Sequence, residues 1–192
     1  MRNGTVTRKT KETDVTVRLT PDGSGQAEIE TGIGFFDHML TAFAAHSGFD
    51  LTVHCKGDLA VDGHHTIEDV GIVIGQAFLQ AVDSAGIARY GNFTVPMDET
   101  LASCSVDICG RPCFVFNATF THARLGRMET QMVKEFFAAF ALNARLTLHL
   151  NVLYGENDHH KCEALFKAFA HALKEAVRVT GEETLSTKGS LK

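Results

Sequence analysis

The sequence DGHHTIEDV at residues 62–70 recurs in similar form as NDHHKCEAL at residues 157–165. His64, His65 and Glu68 of the first copy are each followed, 95 positions later, by the same type of residue in the second copy. An internal repeat has to be recognised before other patterns are interpreted, because it decides how the chain is divided. The sequence therefore predicts two copies of one structural unit, each with a His-His-x-x-Glu motif.

The same shift relates the surroundings of the motif. The segment LTVH at residues 51–54 aligns without a gap with LTLH at residues 146–149. Further along, Ala81 and Gly86 keep this register with matching residues of the second copy. The repeat is thus much longer than the motif, which favours a duplicated half over two chance histidine pairs.

Apolar periodicity gives both halves the same order of elements: strands, helix, strand, helix. Residues 15–19 and 27–29 alternate on either side of a Pro-Asp-Gly turn at residues 21–23, which predicts a hairpin. Helical spacing predicts helices over residues 35–46, 64–85, 128–143 and 159–179. These elements predict an α+β fold by tandem duplication, each half a mostly antiparallel sheet with two helices on one face. The predicted divisions are a first half at residues 1–90, a second half at 91–182 and a tail at 183–192, with the halves packed as a single globular unit.

Helical geometry explains the spacing within each motif. His64 and Glu68 are four residues apart and His65 and Glu68 three, so the carboxylate shares a face with either histidine. Adjacent helical residues point about 100° apart, so the two imidazoles diverge and can serve different metal ions. Imidazole and carboxylate without thiolate suit Mn, Fe, Co, Ni or Zn better than Ca or Mg. The same groups recur at His159, His160 and Glu163.

Three ligands in each repeat do not complete two metal sites, so further ligands are expected on other repeated elements. Aligning the first helix of each half, with two residues removed from the following loop, makes His38 and Glu135 equivalent. The rival pair is His54 and His149, in register on the short strands, where a histidine is more often structural. With His38 and Glu135 each metal has four ligands, and octahedral Mn keeps two positions open where a structural Zn site keeps none. Open paired sites predict a substrate with two metal-binding atoms, such as a small azole ring.

The acid/base and phosphate-binding groups give weaker signals. The Glu-Thr dipeptide that begins at Glu12 resembles the one that begins at Glu99, although a lone glutamate near a strand is usually a solvated charge. Arg89, Arg111 and Lys188 are isolated cations beside glycine-containing turns or the tail, where free backbone amides also favour phosphate. Taken singly, each cation is more often a surface charge.

Composition limits the class of protein. At 192 residues with 44% hydrophobic and 21% charged residues, the chain is an ordinary globular protein. A net charge of −5 gives no basic field for nucleic acid, and no apolar run approaches the roughly 20 residues of a membrane span. Five cysteines without a CxxC pair fit reduced thiols, and Cys162 is interpreted as a small apolar side chain because its repeat mate is Ile67. We expect a cytoplasmic enzyme with no nucleic-acid or membrane partner.

Longer motifs resemble a known family. They are GIGFFDHML (residues 32–40), DGHHTIED (62–69), MDE (97–99), SVDICGRP (105–112) and YGENDHHKCEALFKAFAHAL (154–173), with a closing STKG. In this order, over essentially the whole chain, they resemble the imidazoleglycerol-phosphate dehydratases of histidine biosynthesis. The resemblance implies two ribosomal-S5-domain-2-like halves, two Mn²⁺ ions in each active site, and a homo-oligomer, a 24-mer, with active sites at subunit interfaces.

The resemblance also implies roles residue by residue. The metal ligands it implies are His38, His64, His65, Glu68, His159, His160 and Glu163. Glu12 is the implied catalytic base, and the implied substrate contacts are Glu12, His38, His64, His65, Glu68, Arg89, Arg111, His159, Lys167, Ser186, Thr187 and Lys188. Two positions depart from the family pattern. Glu135 stands where histidine is expected, so its ligand role comes from the repeat alignment, and Thr187 replaces a second serine but keeps the hydroxyl.

The implied reaction is dehydration of D-erythro-imidazoleglycerol phosphate to imidazole acetol phosphate through a metal-bound imidazolate. In this hypothesis the ring electrons expel the hydroxyl, Glu12 removes a proton from the next carbon, and the enol becomes a ketone. Two alternatives stay open: a metal-storage or metal-sensing shell, and a metal-dependent hydrolase with the same ligands. A storage shell needs no phosphate anchor, so in that case Arg89, Arg111 and Lys188 need not converge beside the metals.

Overall fold

The first half of the chain forms a four-stranded sheet with two helices on one face. The structure, a computed structural model, describes residues 2–187. The elements of this half are β1 (Gly4–Lys9), β2 (Thr13–Thr20), β3 (Ala27–Glu30), α1 (Gly34–Ser47), β4 (Asp50–Gly57) and α2 (His64–Ala81). The strand order is β1-β2-β4-β3, antiparallel except for the parallel pair β3 and β4.

The second half repeats this arrangement. Its elements are β5 (Tyr90–Met97), β6 (Thr100–Asp107), β7 (Cys113–Asn117), β8 (Arg124–Leu125), β9 (Met128–Glu129), α3 (Gln131–Asn143), β10 (Thr147–Tyr154) and α4 (Asp158–Ala176). The strand order is β5-β6-β10-β7, with β7 and β10 parallel. The predicted α+β fold, with two similar halves of mostly antiparallel sheet and two helices each, is confirmed. No helix among residues 2–187 is long and apolar enough to cross a membrane.

The predicted hairpin of β2 and β3 is wrong, because β4 lies between these strands. β4 takes the central place since its inward side chains Leu51 and Val53 are buried, whereas β3 is short and mostly exposed. Asp50 at the start of β4 also fixes the intervening loop: its Oδ1 accepts hydrogen bonds from the backbone amides of Ser24 (2.8 Å) and Gln26 (2.9 Å). The chain does turn after β2, but a turn does not determine which strand pairs with β2.

Helix boundaries differ from the sequence prediction by a few residues. α2 and α4 end before the predicted residues 85 and 179. α3 begins later than the predicted residue 128, because the residues before it form β9, paired with β8 in a small hairpin. Two-residue strands leave no periodicity that a sequence pattern can detect.

The helices of each packed pair run in the same direction. On α1 and α4, Phe43 stacks on Phe169 (ring centroids 5.5 Å apart), and two to three residues further along both helices His46 meets His171. On α2 and α3, a Cβ on Gly71 would lie 2.8 Å from the carbonyl oxygen of Phe136, and one on Gly75, a turn later, would lie 2.7 Å from that of Phe140. Contact partners therefore advance together along both helices of a pair.

The two helix pairs also start at the same end of the molecule. Just before α2, a Cβ on Gly63 would lie 3.1 Å from Ile33, which precedes α1, and one on Gly126, before α3, would lie 3.8 Å from Phe35. Further in, Phe36 of α1 contacts Phe136 of α3 at 5.3 Å between ring centroids, and Phe136 stacks on Phe166 of α4 at 5.2 Å. These rings are buried, and burial of each such side chain contributes roughly 1.5–3 kcal/mol. An aromatic core shared by both halves thus gathers all four helix N-termini at one end.

A methyl group at Gly91 would have no room. A Cβ built there would lie 1.8 Å from the carbonyl oxygen of Ala172 on α4, and one at the corresponding Gly4 would lie 2.0 Å from that of Ala77 on α2. We expect Gly91→Ala to push β5 away from α4 and to lower the free energy of unfolding by about 1–3 kcal/mol, the usual cost of overpacking. Denaturant titration measures this change. Gly34→Ala is the control, since nothing lies within 4 Å of a Cβ there, and equal stability of the two variants would contradict the prediction.

Candidate metal centre

The first turn of α4 carries the second His-His-x-x-Glu motif. Asn157 caps this helix, because its side-chain oxygen accepts hydrogen bonds from the backbone amides of His159 (2.9 Å) and His160 (3.4 Å). With the helix start fixed, His159 and Glu163 lie one turn apart on the same face. His159 Nε2 is 3.0 Å from Glu163 Oε2, so the predicted shared face is observed.

His38 from the other half joins this pair. His38 Nε2 lies 3.5 Å from Glu163 Oε2, and the ring centroids of His38 and His159 are 6.0 Å apart. One nitrogen or oxygen atom of each residue lies within 4.8 Å of the others, and within residues 2–187 no other three His, Cys, Asp or Glu residues gather so closely. We call His38, His159 and Glu163 the α4 cluster. Its donor set, two imidazole nitrogens and one carboxylate oxygen, fits one transition-metal ion with open positions.

The carboxylate of Glu163 is mostly buried and stays charged. Burial by itself raises the pKa of Glu163, but hydrogen bonds from Lys167 and His159 outweigh it and hold the pKa below its ordinary value. Lys167 Nζ is 2.6 Å from Glu163 Oε1, which leaves Oε2 beside the imidazoles. The structure thus places Lys167, a predicted substrate contact, against a candidate metal ligand.

The first turn of α2 carries the other motif, and we call His64, His65 and Glu68 the α2 cluster. His64 Nε2 is 3.6 Å from Glu68 Oε2. His65 turns away from this pair: its Nδ1 is 3.0 Å from Asp58 Oδ2 and its Nε2 is 3.8 Å from Glu12 Oε1. The hydrogen bond with Asp58 raises the pKa of His65. The two imidazoles diverge as the helical spacing predicted, and Glu12 lies beside one of them.

His160 of α4 is held by a carboxylate in a similar way. Its Nδ1 is 2.7 Å from Glu99 Oε2, and its Nε2 is 3.5 Å from Asp98 Oδ2. Glu99 Oε1 also accepts hydrogen bonds from the backbone amides of Asn157 (2.8 Å) and Glu156 (3.0 Å). The backbone amide of Asn157 first, and then His160, hold the pKa of Glu99 far below its ordinary value.

These contacts show that Glu12 and Glu99, which the sequence suggested as equivalent residues of the two halves, make different contacts. Sequence comparison paired Glu99 with Glu12, but Glu99 binds the Nδ1 of its histidine, as Asp58 does in the first half. Asp98, at φ 48°, lies beside Nε2, as Glu12 does. Asp58 and Asp98 were missed as site residues. A shift of 95 takes Asp58 to Leu153, so the repeat gives no signal for it.

Arg89 lies at the other end of the molecule with its guanidinium mostly buried. Its Nε and Nη2 donate to the two carboxylate oxygens of Asp107 (2.7 and 3.1 Å), and its Nη1 donates to the carbonyl oxygen of Leu185 (2.6 Å). The hydrogen bonds with Asp107 raise the pKa of Arg89. Arg89, predicted to bind substrate, thus ties the C-terminal segment to the end of β6.

Within one chain, Arg89 is far from the candidate metal ligands on α2 and α4. Its backbone amide donates to the carbonyl oxygen of Ala176 (2.9 Å) at the end of α4, whereas His160 lies in the first turn of the same helix. At the rise of an α-helix, His160 and Ala176 are about 24 Å apart. We call the end with the helix N-termini the metal end and the end with Arg89 the tail end.

The other predicted site residues divide between these ends. Arg111 is exposed in the turn after β6, at the tail end. Ser186 and Thr187 follow directly on the segment that Arg89 holds, and Lys188 lies outside the described residues. Glu135 is half-buried near the start of α3, at the metal end, and is not part of the α4 cluster.

The rival ligand pair lies on the outer faces of the two sheets. The neighbours of these histidines along each strand are buried in the core (Val53, Leu148 and Leu150) or packed against it (Cys55), so both imidazoles point away from the helices. His54 instead contacts Glu28 and Glu30, each at 3.4 Å. His38, unlike this pair, lies in the α4 cluster, and Cys162 is buried in the core as predicted.

A buried ion pair, also missed from the sequence, fixes the start of α4. Asp158 is 2% exposed, with Oδ1 2.9 Å from Lys161 Nζ, and its Oδ2 accepts hydrogen bonds from Thr121 and His122. Burial raises the pKa of Asp158, but the hydrogen bonds from His122, Lys161 and Thr121 outweigh it and hold the pKa well below its ordinary value. These contacts join the helix start to the loop after β7.

Fold and site together define a duplicated α+β protein with histidine and carboxylate groups gathered where its helices begin. The family model of imidazoleglycerol-phosphate dehydratase matches residues 31–173. The proteins of that name from Methanosarcina barkeri and Clostridioides difficile are 55% and 56% identical to this chain over 192 residues, with 100% of each chain covered. The crystal structure of the dehydratase from Staphylococcus aureus subsp. aureus N315 matches with a TM-score of 0.84 and 42% identity, over 93% of this chain and 99% of that chain.

The chain belongs to the imidazoleglycerol-phosphate dehydratase family, whose members are hydro-lyases. Family membership decides against the metal-storage and hydrolase alternatives.

The ion pair beneath α4 predicts a large effect of Asp158→Asn. The substitution leaves Lys161 charged and buried without its carboxylate, so we expect a loss of about 3–5 kcal/mol in the free energy of unfolding at pH 7. Glu175→Gln is the control, because it removes a carboxylate from an exposed pair with Arg178 at the same i,i+3 spacing and should cost less than about 1 kcal/mol. Denaturant titration of both variants measures the difference, and equal losses would contradict the prediction.

The same pair predicts a pH dependence. Because folding lowers the pKa of Asp158, its stabilising contribution is fully present above the unfolded pKa of about 3.9 and is lost as the pH falls towards the folded pKa. The stability difference between wild type and Asp158→Asn should therefore stay constant from pH 7 to about pH 5 and shrink below about pH 4. A pH series of unfolding curves measures this, and a difference that shrinks between pH 7 and 5 contradicts it.

Proposed function

We propose that this protein dehydrates D-erythro-imidazoleglycerol phosphate to imidazole acetol phosphate in histidine biosynthesis, with two Mn²⁺ ions in each active site. The observation that carries the proposal is the α4 cluster, in which nitrogen and oxygen atoms from both halves lie within 4.8 Å of one another. Family membership supplies the reaction. The direct test is whether the purified protein with Mn²⁺ converts imidazoleglycerol phosphate to the ketone product. Absence of turnover would contradict the proposal.

The residues proposed to hold the ions are those of the α4 and α2 clusters together with His160 and Glu135. Their imidazole and carboxylate donors, with no thiolate, suit Mn²⁺. When bound, the ions would act as Lewis acids that favour loss of the ring N–H of the substrate. Lys167 supports this role by fixing one oxygen of Glu163, so that the other stays available to a cation.

Glu12 is the proposed base. Its carboxylate lies 3.8 Å from the Nε2 of His65, so a substrate ring at that histidine would bring the side chain of the substrate close to Glu12. Glu12 takes the proton from the carbon next to the one that loses its hydroxyl, and the resulting enol tautomerises to the ketone. The side chain is 55% exposed, so this carboxylate is free to reach a substrate.

Glu12→Gln should lower kcat by about 100-fold or more, because general-base catalysis contributes 10²–10⁴-fold and an amide cannot accept the proton. Mn²⁺ content, measured on the same samples, should stay at the wild-type level. Glu28→Gln, on the exposed edge strand β3, is the matched control and should leave kcat unchanged. A Glu12→Gln enzyme with near wild-type kcat and bound metal rules Glu12 out as the base.

An active site at the contact between subunits accounts for the separation within one chain. The metal ligands lie at the metal end, whereas Arg89, Arg111 and the segment that leads to Lys188 lie at the tail end, with about 24 Å of α4 between them. A phosphorylated imidazole cannot span that distance. We propose that a site combines the metal end of one subunit with the tail end of another, within a homo-oligomer of 24 subunits in the cytoplasm.

Subunit complementation tests this arrangement. Glu12→Gln removes the base from the metal end, and Arg111→Ala removes a phosphate contact from the tail end and should raise KM. When both variants are produced in the same cells, mixed oligomers should contain sites with both native residues. We expect activity, at substrate concentrations well below the raised KM, to exceed the sum of the two single-variant proteins. If each site takes both residues from one chain, mixing restores nothing.

A further inference from the structure

Two carboxylates outside the proposed ligand set bind histidines of the two motifs in the same way. Asp58 Oδ2 is 3.0 Å from the Nδ1 of His65, and Glu99 Oε2 is 2.7 Å from the Nδ1 of His160. In both cases the contact of Nε2 within residues 2–187 is a longer one, at 3.8 and 3.5 Å, to another carboxylate. The same ring nitrogen is therefore occupied in both halves, and the same one remains for a ligand.

The chemistry of imidazole gives these contacts a consequence. An ionised carboxylate only accepts hydrogen bonds, so Nδ1 must carry the proton and a neutral ring then has its lone pair on Nε2. The histidines that bind metal ions are commonly held by such a carboxylate, which fixes both the tautomer and the orientation of the ring. His65 and His160 are also half-buried, at 34% and 24% side-chain exposure, which limits screening by water.

We propose that Asp58 and Glu99 are positioning residues that hold His65 and His160 with Nε2 presented to a divalent cation. The inference rests on the metal binding of the proposed function and adds the residues that orient two of its ligands. It does not follow from the repeat, because Asp58 precedes α2 within the first half whereas Glu99 lies in the β5–β6 turn. Two unrelated positions that supply the same contact indicate a requirement of the site.

The two carboxylates are held differently, and this shapes the experiment. Glu99 is fixed by the backbone amides of Glu156 and Asn157 through its Oε1, whereas the carboxylate of Asp58 is bound by His65. An amide at residue 58 can rotate to offer its oxygen to Nδ1. An amide at residue 99 keeps its oxygen on the backbone amides and turns its N–H₂ towards Nδ1, which favours the tautomer with the proton on Nε2.

Chelator competition on the Mn²⁺-loaded protein measures the effect without any use of activity, with released Mn²⁺ followed by its EPR signal. We expect Asp58→Ala to weaken one class of Mn²⁺ sites by about 10–100-fold, the usual effect of removing such a partner. Asp58→Asn should restore most of the affinity. Glu99→Gln should weaken the binding at its site by a similar factor of about 10–100, because its amide selects the wrong tautomer.

Glu28→Ala is the matched control, since it removes a carboxylate 3.4 Å from His54, a histidine outside both clusters, and should leave the affinity unchanged. Release curves of Asp58→Ala that superimpose on those of wild type overturn the inference. So does an equal loss in Glu28→Ala, which would indicate a general effect of charge. A wild-type protein that holds no Mn²⁺ at all would instead overturn the proposed function, so the two failures are distinguishable.

Discussion

The packing of parallel helices is the constraint on which the candidate site depends. Because α1 lies alongside α4 and α3 alongside α2, with all four starting at one end, residues distant in the sequence meet there: His38 comes within 3.5 Å of Glu163. Helix N-termini carry partial positive charge, so four of them at one end do not by themselves favour a cation. The carboxylates at this end, including Glu99 and Asp158 with their lowered pKa values, supply the negative charge that compensates.

This balance explains why so many acidic side chains at the metal end are fixed by hydrogen bonds. Asp158 is buried under the start of α4 by Lys161 and the loop after β7, and Glu163 is held by Lys167. Both carboxylates are therefore held in position by neighbouring groups before any ligand binds. A prearranged site of this kind needs little reorganisation when charge develops on a substrate, which is where catalytic stabilisation is most effective.

The sequence predicted the secondary-structure elements better than it predicted which elements pack or pair with one another. The 95-residue repeat and the helical periodicity located α2 and α4 and the histidines on them, because both signals can be read from the order of residues without knowledge of the three-dimensional contacts. The β2 and β3 pairing failed since only the burial of Leu51 and Val53 decides that β4 is central, and a turn signal at residues 21–23 says nothing about a later strand. The role of Asp58 could not be predicted for a related reason. Its contact with His65 is formed only when the chain folds, and the equivalent contact in the second half is made by a residue at a different position, Glu99.

The tail end bears on the proposed division of the active site between chains. Arg89 is satisfied within its own subunit by Asp107 and by the carbonyl of Leu185, so its position is set by the fold while the exposed Arg111 stays available to an anion. The proposed oligomer requires a symmetric contact between the tail end of one chain and the metal end of another. Two kinds of contact meet this requirement: a two-fold contact between antiparallel chains, and a head-to-tail contact that closes in a ring. Under this proposal either contact would make as many complete sites as there are chains, and an isolated chain would have none. Since Arg89 also binds the carbonyl oxygen of Leu185, the same side chain that lies at the proposed phosphate-binding part of the site fixes the C-terminal segment beside it.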